Sequence, residues 1–107
     1  MEVEFLRSAK TRLLEIWDYT EQTWGEEQAD DYIRGLVGAI HQAAVERHRW
    51  RPVLDETLPG VYYMKHQRHF VFFREISAGA IGVISVLHEK MNIPRRLQED
   101  TDWQGED

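Results

Sequence analysis

Lys65, Arg68, Arg74 and His88, joined by Glu46 or Glu89, are the side chains of this sequence best suited to chemistry. Cleaving an RNA strand through its own 2′-hydroxyl needs a base, an acid and cations that stabilise the phosphate transition state. Those residue types are all present. The plainer reading makes Arg68 and Arg74 solvated strand positions paired to nearby acids. Five histidines raise metal binding, but their spacing argues against it. His66 and His69 are three apart near a strand and tend towards opposite faces. His41 and His48 share a helical face but lie about 10 Å apart. With no cysteine and no HExxH-type pair, neither a metal nor another cofactor is expected.

Charge is spread unevenly. The net charge is −6 over 107 residues. Residues 1–50 hold ten acids and six bases, residues 51–96 four acids and seven bases, and residues 97–107 five acids and no base. The whole does not read as a general or sequence-specific nucleic-acid binder, although residues 61–96 can form a local basic surface. A chain of this length fits one domain, expected over residues 1–97. Residues 98–107 read as a disordered acidic tail with Trp103 as its anchor. No apolar run approaches the roughly 18 residues of a membrane span, and "MEVEFLRSAK" lacks the apolar stretch of a signal peptide. The expected location is the cytoplasm.

Several elements must position these groups. "VEFL" (Val3–Leu6) predicts a short strand, and Ser8 is placed to cap the helix after it. Leu13, Ile16, Trp17 and Thr20 form one helical face. Gly25 ends that helix. A second helix carries Ala29, Tyr32, Ile33, Leu36, Ile40, Ala43 and Ala44 at spacings of three and four, so the two helices must fold back as a hairpin. Gly35 and Gly38, inside the second helix, either let the first helix approach closely or are tolerated defects. Trp24, before the turn glycine, reads as a structural plug. A polar loop with two prolines follows, closing on Pro59-Gly60, a type II turn signal. Strands are predicted over Val61–Lys65, His69–Ile76 and Ala80–Leu87, with "SAG" as the last hairpin turn. The sum is an α+β domain of order β-α-α-β-β-β, with a helical hairpin on one face of a small, mostly antiparallel sheet.

Strict alternation puts Val71 and Phe73 on one sheet face and Phe70, Phe72 and Ile76 on the other. In the next strand it puts Ile81, Val83 and Leu87 on one side and Ile84 and Val86 on the other. Both faces are therefore partly apolar, while one helical hairpin covers only one. Either the loop from Arg47 to Gly60 wraps the second face or a protein partner does.

"IWDYTEQTWGEEQADDYIRGL" followed by "HFVFFREISAGAIGVISVLHEKMN" resembles the ParE branch of the RelE/ParE superfamily of toxins from type II toxin–antitoxin systems. The resemblance covers roughly residues 3–97. It rests on Tyr19, Trp24, Gly25, Ala29 and Tyr32, on "HFVFFR", and on "VLHEKM", in that order and spacing. It implies a toxin that blocks DNA gyrase by binding, without chemistry of its own. It also implies a ParD-like antitoxin that neutralises the toxin as a hetero-oligomer. The RelE-like cousins share the fold but cut messenger RNA on the ribosome. For this chain that alternative would use Arg68, Arg74 and His88, yet no tyrosine follows His88. A third reading is a module that only engages its antitoxin.

"HEKMNIPRRL" answers better to the inhibitor reading. It mixes Lys90, Arg95 and Arg96 with Met91, Ile93 and Leu97, and arginine and methionine favour interfaces. His88, Lys90, Met91, Arg95 and Arg96 are the expected target-binding residues. The plainer reading is a short helix, with Pro94 in its first turn, that packs its apolar side on the sheet and leaves the bases in water. The two are compatible. For an antitoxin segment that folds on binding, Trp17, Tyr32, Trp50 and Tyr63 are the expected contacts, with Trp50 foremost because it sits in the polar loop.

Overall fold

The computed structural model describes residues 2–105, with side chains through residue 102. The order is β1 (Glu2–Phe5), α1 (Arg7–Trp24), α2 (Glu26–Val45), a 3-10 turn (Arg47–Arg49), β2 (Arg51–Pro52), β3 (Val61–His66), β4 (His69–Ser77), β5 (Ala80–His88) and α3 (Ile93–Gly105). The sheet order is β1-β5-β4-β3-β2. β1 runs parallel to β5 and the other pairs are antiparallel. The α+β class and the predicted order of long elements hold. Three pieces are additional: the 3-10 turn, the two-residue edge strand β2, and the length of α3.

Gly25, at φ +100°, ends α1 and opens α2, and its N–H donates to the Glu21 carbonyl at 2.9 Å. A side chain is strained at that angle, so glycine makes the tight reversal. The hairpin lays Ala9, Leu36, Ile40, Ala43 and Ala44 on Val71, Phe73, Ile81, Val83 and Val86. Burying each large side chain there contributes about 1.5–3 kcal/mol. Trp50 belongs to this cluster, only 8 % exposed, and its indole N–H donates to the Ala43 carbonyl at 2.9 Å. The loop position therefore misled: the ring plugs the end of the core beside Tyr62 and Phe73.

Ser8 is not a cap. It is buried, its hydroxyl donates to the Ile84 carbonyl, and Leu6 takes the cap position with no side-chain bond. Ile84 is the extra residue of a β-bulge: Phe72 faces Ser85 and Phe73 faces Val83. The bulge reverses the alternation beyond it. Val86 joins Ile81 and Val83 on the hairpin face, and Leu87 joins Ile84 on the other, the reverse of the strict-alternation expectation.

The second face is closed largely from within the chain. Leu58 and Val53 from the loop, and Leu97, Ile93 and Met91 from the C-terminal segment, pack on Val61, Phe72, Ile84 and Leu87. The expected disordered tail from residue 98 is instead helical through Gly105. One of its acids holds it in place. Asp100 is buried, accepts from Arg12 Nε and Nη2 at 3.0 Å each, and accepts from the Ser85 hydroxyl at 2.5 Å. The Asp100 bond raises the Arg12 pKa above its ordinary value against the effect of burial. The Trp103 side chain and residues 106–107 lie outside the described residues.

Gly35 and Gly38 do not serve close helix packing. Both are exposed, and a Cβ at either meets nothing within 4 Å. Trp24 is no plug either, being 64 % exposed.

Candidate functional site

The turn between β3 and β4 contains two residues, with Gln67 at φ +53°. That register sets His66 opposite His69, and the β4–β5 register sets His69 opposite His88. Cross-strand neighbours share a face, so the expectation that His66 and His69 diverge is corrected. Tyr32, one turn and a half into α2, meets both. Its ring centroid lies 5.9 Å from that of His66 and 5.5 Å from that of His69. Its hydroxyl is 2.6 Å from His69 Nδ1, and the His69 and His88 rings stand edge to face at 5.2 Å. Burial, then the neighbouring His88 and His66, push the His69 pKa down to about 4. Burial also raises the Tyr32 pKa. The Lys90 backbone N–H donates to His88 Nδ1 at 3.1 Å. In the neutral ring that leaves the proton on Nε2.

Tyr32, His69, His88 and Lys90 line a groove of about 1440 Å³ between α1, the start of α2 and one end of the sheet. Tyr19 and Trp24, exposed to 70 % and 64 %, form part of its rim. Sequence patterning gave no signal for those two as rim residues, because both fall off the helical core face. Lys65 and Arg68 enter the groove as well, but both are held by Glu89, each at 2.9 Å. Lys65, then Arg68, holds the Glu89 pKa below the usual carboxylate range. Such a carboxylate is a weak general base near neutral pH.

Four of the six chemistry-bearing residues, Lys65, Arg68, His88 and Glu89, meet at the groove, and Arg74 and Glu46 do not. His69 faces His88, whereas Arg74 is five residues further along β4, about 17 Å away. Glu46 follows the end of α2, fourteen residues past Tyr32 and about 21 Å along the axis. There it is bonded to Gln42 and Arg49, which lower its pKa. Arg68 and His88 share one end of the sheet, and Arg74 lies at the other.

The residues expected to meet a target are brought into one region. His88, Lys90 and Met91 line the groove, and Met91 also leans on the second apolar cluster. Arg95 and Arg96 project from the first turns of α3, both exposed and both paired with Glu99. The Asn92 side-chain oxygen accepts from the Arg95 N–H at 3.4 Å at the head of that helix. The expected antitoxin contacts are dispersed. Trp17 bridges the hairpin through its indole N–H to Asp30 at 2.8 Å, beside a small apolar notch with Leu13, Leu14 and Ile33. Tyr32 stands in the groove. Tyr63 lies on the second sheet face against Phe70 and Phe72. Trp50 is core.

A two-helix hairpin on a five-stranded sheet does not by itself name a function, and comparison with known proteins supplies the family. Residues 3–93 match the family model of the ParE toxin of the type II toxin–antitoxin system parDE. The chain belongs to that family. It is 39 % identical over 90 residues to Toxin ParE1 of Mycobacterium tuberculosis, covering 84 % of this chain and 91 % of that protein. It is 40 % identical over 92 residues to Toxin ParE1 of Caulobacter vibrioides, covering 85 % and 92 %. In fold it matches a chain of the chromosomal ParDE system from P. aeruginosa with a TM-score of 0.67 at 21 % identity, over 82 % of this chain and 95 % of that one. Among the described residues no helix is long and apolar enough to cross a membrane.

Proposed function

We propose that this toxin acts in the cytoplasm by binding DNA gyrase, without chemistry of its own, and that a ParD-like antitoxin neutralises it in a hetero-oligomeric complex. The observation that carries the reading is the separation of the groups a nuclease would need: Arg74 stands about 17 Å along β4 from the Arg68 and His88 end. Lys65 and Arg68 at that end are also both held by Glu89. What remains is a surface for binding. The target-binding segment runs from His88 through Arg96, where Met91 and Ile93 anchor on the second apolar cluster and Lys90, Arg95 and Arg96 face solvent. Arginine there suits phosphate or carboxylate, and a gyrase–DNA complex offers both.

The test is induction of the protein alone in bacteria, with plasmid topology and messenger RNA integrity read from the same cells. Gyrase-linked DNA breaks or lost supercoiling with intact messages is the expected result. Codon-positioned message cleavage with normal topology would overturn it and return attention to Arg68 and His88. No growth arrest would leave an antitoxin-binding module. Charge reversal, Arg95→Glu with Arg96→Glu, is expected to reduce toxicity and spare antitoxin binding; undiminished toxicity would remove that segment from the target surface.

A further inference from the structure

Arginines in this fold are mostly partnered. Arg12, Arg34, Arg47, Arg49, Arg68, Arg95 and Arg96 each pair with a carboxylate. Arg74 differs. It is half-buried, and its Nε is the one buried side-chain nitrogen or oxygen among the described residues with no hydrogen-bond partner. Burying that one nitrogen without an acceptor costs stability and gives the isolated chain nothing in return, while the rest of the guanidinium stays within reach of the surface. That is the signature of a group whose partner arrives from outside.

Its surroundings define that partner. Arg74 shares the second sheet face with Phe70 and Phe72 and borders its closed part, pairing across the strands with buried Val61. One cross-strand row runs Glu4, Gly82, Arg74, Val61, Val53. Gly82 leaves the space beside Arg74 low, and Ile76 and Leu6 lean into it. Two apolar side chains along this row reach into water: Ile76 beside Gly82, at 42 % exposure, and Leu54, next after Val53 at the row's end, at 94 %. Acids stand in the same row (Glu4) and on the flanking loop (Asp55, Glu56). They disfavour a polyanion such as a nucleic-acid backbone. A single carboxylate flanked by apolar side chains fits.

We infer that Arg74 anchors the antitoxin, receiving one carboxylate of an antitoxin segment whose neighbouring apolar side chains cover Ile76 and Leu54. The inference rests on the toxin–antitoxin reading and deepens it by naming the contact. A planar, two-pronged donor is suited to hold a carboxylate through two parallel bonds, and the apolar rim excludes water from that pair.

The experiment uses the full chain and the antitoxin encoded beside its gene. Affinity is measured for the wild type, Arg74→Met and Arg74→Lys, and each Asp or Glu of the antitoxin is replaced in turn by Asn or Gln. Arg74→Met is expected to weaken the complex about 30-fold or more, with Arg74→Lys in between. One antitoxin acid should lose its effect in the Arg74→Met background. The unfolding temperature of the free Arg74→Met chain should stay level or rise, which a structural arginine would not allow. Unchanged affinity, strict additivity for every acid, or a drop in free-chain stability would each overturn the inference. Unchanged antitoxin affinity with lost toxicity would overturn it by assigning the guanidinium to the target. A wild-type chain that ignores the antitoxin would overturn the functional reading and this inference together.

Discussion

On one face of the sheet, helices of 18 and 20 residues lay Leu36, Ile40, Ala43 and Ala44 over Val71, Phe73 and Val83. On the other, a 13-residue helix and a loop contribute Leu97, Leu58 and Val53, and much of the closure is polar: Arg12, Asp100 and Ser85 clasp α3 to the body. The first face is continuous and apolar. The second ends at Arg74 and Ile76 before it is fully covered. The difference teaches that a small sheet need not spend equal packing on both sides. One side fixes the fold. The other is closed by pieces that also carry the surfaces offered to partners.

Mutations can break or sharpen that contrast. Phe73→Ala is expected to cost about 3–5 kcal/mol and Leu97→Ala about 2–3 kcal/mol, measured by urea unfolding; equal losses would erase the distinction between the faces. Asp100→Ala should cost about 2–3 kcal/mol, because it strands Arg12 and Ser85. Arg12→Met with Asp100→Leu should recover most of that, and hydrogen exchange in α3 would report whether the helix loosens first. His69 tests the groove. Its pKa is about 4 in the fold against an ordinary 6.5, so the folded chain binds fewer protons than the unfolded chain between those values. The stability it confers is complete above pH 6.5 and is lost as pH falls towards 4. After allowance for solvent screening of a half-buried ring, the loss is on the order of 1 kcal/mol, and His69→Gln should flatten that part of a stability–pH profile. Arg95→Glu with Arg96→Glu should change stability by less than about 0.5 kcal/mol, since both sit at the surface.

Much of the architecture was legible. Apolar spacing in the helices, the turn glycine at 25 and the "SAG" hairpin each express a local rule, and the structure follows them. What was not legible depended on contacts distant in sequence. Alternation alone has no means of finding the bulge at Ile84, so Val86 and Leu87 came out reversed. Composition reads residues 98–107 as solvated, because what holds the helix at Asp100 is Arg12, 88 residues away. Trp50 sits in a polar stretch and is core through a fold-back that brings it to Ala43. The histidine cluster was within reach: a two-residue turn at Gln67 and Arg68 fixes His66 opposite His69. The site remains the less legible half, because a binding surface obeys its partner's shape rather than a periodic rule of its own chain.

The parallel pairing of β1 with β5 has a consequence for synthesis. The first strand ends at Phe5, and the strand it needs ends at His88. At about 5–20 residues per second, that partner follows roughly 4–17 s later. The edge of the sheet stays open through that interval, and Ser8 has no Ile84 carbonyl to bind. A nascent toxin therefore spends nearly all of its own translation without the complete sheet. Chains interrupted before the last strand carry the hairpin helices but no closed core beneath them, and the ribosome releases no partial toxin with its working faces assembled.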